Sequence, residues 1–172
     1  MVKNKDDLVL IGCDFSINKP ALCLQKNNKL TFISWPYSLT KPVLEVFKNS
    51  PISIIERTDN KDKGTGVSDK LRYEIKNAKY LATLILDTIK PFINNNTYIA
   101  FEGLSYGSSG NVTLQLGGYK YILMDLLSTI VPLENMETFA PITLKKTAGC
   151  SKKGTKKSDV IEAFKNMPTK FS

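Results

Sequence analysis

LVLIGCDFSINKPALCLQKNNKLTFISW, residues 8–35, decides how this chain folds. Residues 8–13 (LVLIGC) are a short apolar run, which reads as a buried strand, and the run ends on Asp14. Residues 21–25 (ALCLQ) read as a second strand. Lys26-Asn27-Asn28-Lys29 has turn chemistry, because asparagine tolerates left-handed backbone angles. Residues 30–35 follow with Thr, Phe and Ile, so a hairpin closes there. The chain is therefore expected to open with a three-strand antiparallel meander whose first strand delivers an aspartate at its exit.

Beyond it, residues 36–66 are irregular, with Pro36, Pro42, Pro51 and a charged run at 59–63. A short helix around 43–48 and a strand around 52–56 fit the pattern there. Ser68 is placed to cap the next helix. Leu71, Ile75, Ala78, Ala82, Ile85 and Ile89 then recur at spacings of 4, 3, 4, 3 and 4, one apolar helical face. Residues 98–101 (YIAF) form a strand with Glu102 at its exit. A loop with three glycines and three serines spans 103–111. A second amphipathic helix covers 112–130, presenting Leu116, Tyr119, Leu123, Leu126, Leu127 and Ile130 before Pro132 stops it. A short strand at 138–140, a helix beginning at 141–147 and a last short helix at 158–165 complete the order β-β-β-α-β-α-β-α. A meander followed by βα units implies an α/β fold, a mixed sheet with helices on its faces.

The 172 residues suffice for one domain with a proper core, and 42% are apolar, as globular chains require. No stretch approaches the roughly 18–20 apolar residues of a membrane span, and the charged N-terminus carries no signal-peptide pattern, so a cytoplasmic protein is expected (host cytoplasm if viral). Three cysteines, Cys13, Cys23 and Cys150, form no CxxC pair, which argues against a disulfide framework or structural zinc. There is no histidine, which removes Ser-His-Asp and Cys-His catalysis. Any enzymatic chemistry must fall to carboxylates and lysines.

Net charge is +8 and unevenly placed: residues 145–170 hold eight lysines against Asp159 and Glu162, leaving +2 for the first 144 residues. A concentrated basic tail suggests a polyanion partner, most often nucleic acid. A lysine-rich solvated surface is the other reading.

Asp14 and Glu102 each directly follow an apolar strand. If those strands are neighbours, both carboxylates meet at one edge of the sheet. Two such groups repel and raise each other's pKa, and a hard divalent cation, Mg²⁺ with Mn²⁺ as substitute, relieves that. A pair of ions at such a site activates water and stabilises the leaving oxygen in phosphodiester cleavage. The competing reading of each acid alone is a helix cap or loop anchor.

These residues resemble the RuvC-like Holliday-junction resolvases, especially phage and poxvirus-type members. IGCDFSINKPALCL (11–24) looks like that family's first strand, turn and return strand. YIAFEGLSYGSSGN (98–111) is similar to its apolar strand, catalytic glutamate and mobile loop, and TLQLGGYKYIL (113–123) to the helix that follows. APITLKKTAGCSKKGTKKSDV (140–160) is similar to its A-P-x-x-[VL]-K segment with K-[ST]-x-V beginning a helix. The resemblance implies an RNase H-like domain over residues 1–172 with a five-stranded mixed sheet. It implies a homodimer that cuts branched DNA with two Mg²⁺ ions per site. Asp14 and Glu102 match the first two metal-binding acids, and Lys157 matches a lysine near the scissile phosphate, though it also reads as a solvated lysine. Tyr106, with Leu104 second, is the candidate for the side chain that wedges into the junction; covering the core from the loop is the alternative. Lys145, Lys146, Lys152, Lys153, Lys156 and Lys157 are the candidate phosphate contacts. In the family the helix at 112–130 contributes to dimerisation.

The family completes its site with one or two aspartates on a final helix. Here Val160 is followed by twelve residues with no acid after Glu162, so half a metal site is present and weak or no cleavage is expected from these residues alone. A protein that binds branched DNA without cutting it is the alternative function. An actin-like or sugar-kinase ATPase is disfavoured by length. A general RNase H is disfavoured by the L-x-L-G and lysine-rich patches.

Overall fold

The computed structural model describes residues 7–41, 45, 48, 50–58, 64–104, 110–147, 149–150 and 156–165. Its strands are β1 (Val9–Asp14), β2 (Ala21–Lys26), β3 (Lys29–Ser34), β4 (Ile52–Ile54), β5 (Thr97–Glu102) and β6 (Met136–Phe139). They form one mixed sheet in the order β4-β3-β2-β1-β5-β6. The meander is as expected: β1 and β2 pair antiparallel from Val9↔Lys26 to Asp14↔Ala21, and β2 and β3 from Ala21↔Ser34 to Lys26↔Lys29. Asn27 and Asn28 both adopt left-handed angles, φ 52° and 58°, as a two-residue hairpin loop that matches strand twist requires. Alanine has no side-chain amide to ease that conformation, so Asn28→Ala is expected to cost about 1 kcal/mol, read from urea unfolding.

The sheet has six strands, not five. The sixth is the strand expected around 52–56, shorter than that by two residues: β4 runs parallel to β3 at the sheet edge, from Phe32↔Ile52 to Ser34↔Ile54. β5 lies parallel to β1, and β6 parallel to β5, each reached through a helix as a parallel connection demands.

On β1 the residues alternate buried and exposed, with Val9, Ile11 and Cys13 inward. That face is covered by α1 (Val67–Ile89) and α2 (Gly110–Ser128), and the core joins Leu24, Ile33, Ile99 and Phe101 to Leu81, Ile85, Leu123 and Leu127. Each such side chain removed from water stabilises the fold by roughly 1.5–3 kcal/mol. α3 (Pro141–Thr147) and α4 (Lys157–Lys165) follow β6.

Two details of α1 differ from expectation. The cap is Gly66 rather than Ser68, and the Asp69 carboxylate accepts the Gly66 N–H at 3.3 Å. The inward stripe begins only at Asn77 and Ala78, leaving Leu71 and Ile75 exposed beside Val112 and Ile122 of α2. Periodicity tells which face of a helix is apolar, not how far its partner extends. The suggested helix at 43–48 lies mostly outside the described residues. Among those described, no helix is long and apolar enough to cross a membrane.

Candidate metal centre

β1 and β5 are parallel neighbours in register up to Cys13↔Phe101, and each ends one residue later on an acid. Asp14 and Glu102 therefore meet at the same end of the sheet. Their side chains are close enough for Asp14 to act directly on Glu102. Glu102 is held above the ordinary glutamate range: half-burial disfavours its charge most, the Asp14 charge and hydrogen bond add to that, and Lys145 and Lys120 oppose it. This is the repulsive pair anticipated from the sequence.

Period-two alternation decides which neighbours share the site. Cys13 points to the core face, and its thiol is pushed up to about 12, chiefly by burial and then by the Asp14 charge. It stays protonated and inert, as its apolar run suggested. The carboxylates open instead on a cleft of about 790 Å³, whose far wall includes Leu144 and Lys145 of α3 and Val160 of α4. Lys145 is half-buried there.

The other candidates distribute unevenly. Lys146 and Lys156 are exposed. Lys157 opens α4, the helix that brings Val160 to the cleft. Tyr106, Lys152 and Lys153 lie outside the described residues. Leu104 is half-buried, with its Cδ1 over Gly117 of α2. Asp159 is occupied as a cap: its carboxylate accepts the Lys156 N–H at 2.8 Å. Glu162 is exposed. Among the described residues no third acid, cysteine or histidine joins Asp14 and Glu102.

One residue at the site was missed. Lys120 of α2 is 6% exposed and reaches under the strand ends, where it donates to the Glu102 carbonyl at 3.0 Å and to the Thr138 hydroxyl at 3.4 Å. Desolvation lowers its pKa, and electrostatic attraction from the Cys13 and Glu102 side chains opposes that. The signal was available: position 120 lies four residues after Leu116 and three before Leu123, inside the apolar stripe.

The donor set fits one hard divalent cation. A divalent cation would relieve the repulsion between the two carboxylates, and magnesium commonly binds through one or two carboxylates while keeping waters and taking substrate phosphate oxygens. A second ion needs acids beyond these two.

No protein-family model matches the chain, and no curated protein matches its sequence. Among solved structures, T. thermophilus RuvC in complex with a Holliday junction substrate superposes with a TM-score of 0.51, covering 91% of this chain and 87% of that one at 10% identity. At that identity the likeness is one of fold: this chain has the RNase H-like fold, a mixed sheet flanked by helices.

Proposed function

We propose that this chain is a structure-specific DNA endonuclease that cuts four-way or other branched DNA, with Asp14 and Glu102 holding Mg²⁺. The observation that carries this reading is the pair of carboxylates brought together at the ends of two neighbouring parallel strands of an RNase H-like sheet, where Asp14 raises the Glu102 pKa. The similarity in fold to a resolvase bound to its junction supports the substrate class. The bound ion supplies Lewis acidity toward a phosphodiester and its attacking water. The chain's own groups do the rest. Asp14 and Glu102 would hold the cation between them. Lys145, across the cleft, sets a positive charge against the phosphate. Lys157, with Lys146, Lys152, Lys153 and Lys156, extends that charge along the DNA backbone, and Tyr106 stacks at the branch point. We extend the proposal to two ions per site, the second held by acids beyond the described residues. We also extend it to a homodimer, since a four-way junction offers two equivalent strands. The apolar side chains exposed at the start of α1 and α2, Leu71, Ile75, Val112 and Leu114, suit such an interface.

One observation favours a second reading, a protein that binds branched DNA without cutting it: no third acid joins the pair among the described residues. Incubating the full-length protein with a labelled four-way junction and Mg²⁺ separates the two. The endonuclease gives symmetric nicks near the crossover from a complex of two chains per junction, and Asp14→Asn loses the nicks while keeping the complex. Tight junction binding with no nicking from the full-length protein would sink the enzyme and favour the binding module.

A further inference from the structure

α2 lays Tyr119, Leu123 and Leu127 on the sheet, and Lys120 is buried beside them. Its methylenes pack as an aliphatic side chain would, but a buried ammonium must replace the water it loses. It does so at one place. Besides the Glu102 carbonyl and the Thr138 hydroxyl, it lies 5.3 Å from the centroid of the Phe101 ring. All three belong to the ends of β5 and β6. The β1–β5 ladder stops at Cys13↔Phe101, so the Glu102 carbonyl lies one residue past it. On the other side, the Gly103 N–H donates to the Phe139 carbonyl at 2.7 Å. β6 then leads through Ala140 into α3, which carries Lys145.

We propose that Lys120 is a positioning residue for the carboxylate pair: its ammonium ties the Glu102 backbone to β6, so that the Glu102 and Asp14 carboxylates converge on one cation while Lys145, across the cleft, is left to face the phosphate. The inference rests on the reading of Asp14 and Glu102 as cation ligands. A lysine that only filled space would be replaced without loss by methionine, which has similar length and no donors. A lysine that aims a ligand from behind would not.

Mn²⁺ binding to the full-length protein, followed by water proton relaxation, distinguishes the two without relying on cleavage. Lys120→Met is expected to weaken Mn²⁺ binding about tenfold or more, as loss of groups that orient metal ligands does. Lys120→Arg, which keeps donors toward both oxygens, is expected to recover most of it. Thr138→Val removes one partner at an exposed position and is expected to weaken binding by a smaller factor. It carries the test if the methionine variant does not fold. Unchanged affinity in a folded Lys120→Met protein, or in Thr138→Val where methionine is not tolerated, overturns the inference and leaves the metal pair standing. Failure of Lys120→Arg to recover any binding also overturns it. Wild-type protein that binds Mn²⁺ no better than Asp14→Asn overturns the ligand reading and the inference with it.

Discussion

Glu102→Gln is expected to abolish metal-dependent cutting and, without metal at neutral pH, to make the protein more stable. The amide of glutamine cannot supply the anionic oxygen that a hard divalent cation would take from Glu102. The gain in stability follows from the carboxyl's raised pKa, caused by burial and then by Asp14. A group that binds its proton more tightly folded than unfolded has its full stabilising effect at low pH. That effect is lost as pH rises from the ordinary glutamate range through the raised value. Glutamine cannot ionise and escapes this loss. The melting temperature of the variant should therefore exceed that of wild type at pH 7 and match it near pH 4. Saturating Mn²⁺ should reverse the order, because only wild type gains from the ion. A ligand at a hundred times its dissociation constant adds about 2.7 kcal/mol, roughly 5–10 °C for a chain of this size. Calorimetry at both pH values, with and without Mn²⁺, gives all four comparisons. A variant less stable than wild type at pH 7 without metal would show that burial and Asp14 do not hold the Glu102 carboxyl above its ordinary range.

The acids could be found before the fold because each sits at the end of a strand with an unambiguous apolar pattern. That Asp14 and Glu102 meet depended on β1 and β5 being neighbours, which no local pattern states; a helix returning the chain parallel to its starting strand supplies it. Turn chemistry was equally legible at Asn27-Asn28, where the required left-handed angles select the residue type. What was not legible has physical reasons. That the strand at 52–54 adds a sixth, edge position beside β3 is set by pairing that no local pattern states. The exposed start of α1 depends on where its partners stop. Lys120 escaped notice because a lysine within a helix is assigned by habit to the solvent face, although its spacing from Leu116 and Leu123 sets it in the buried stripe. Polar residues inside an apolar stripe are better read as questions about what they bond.

Trp35→Ala is expected to cost about 3–5 kcal/mol, the range for truncating a large buried aromatic, and to lower the melting temperature by roughly 6–20 °C. Trp35 is 0% exposed and stands directly after β3, between the meander and α1. Its indole N–H donates to the Thr88 hydroxyl at 3.4 Å, and that hydroxyl donates to the Leu84 carbonyl at 2.7 Å. Trp35→Phe keeps most of the bulk and loses the hydrogen bond, so it should cost nearer 1 kcal/mol. The backbone N–H of Trp35 donates to the Pro20 carbonyl at 3.0 Å, which makes it a support for the turn that follows Asp14. That turn has others: the Ser34 hydroxyl donates to the same carbonyl at 2.9 Å, Arg57 donates to the Ile17 carbonyl, and Tyr37 N–H donates to the Asn18 carbonyl at 2.8 Å. All of these bonds leave the side chain of residue 35 uninvolved. Asp14 itself is held by its pairing with Ala21. At a temperature where Trp35→Ala remains folded, its Mn²⁺ affinity should therefore equal that of wild type. A fall in affinity there would mean that the aim of the Asp14 carboxylate depends on how tightly the meander is pressed against α1, and not on the β1–β2 ladder alone.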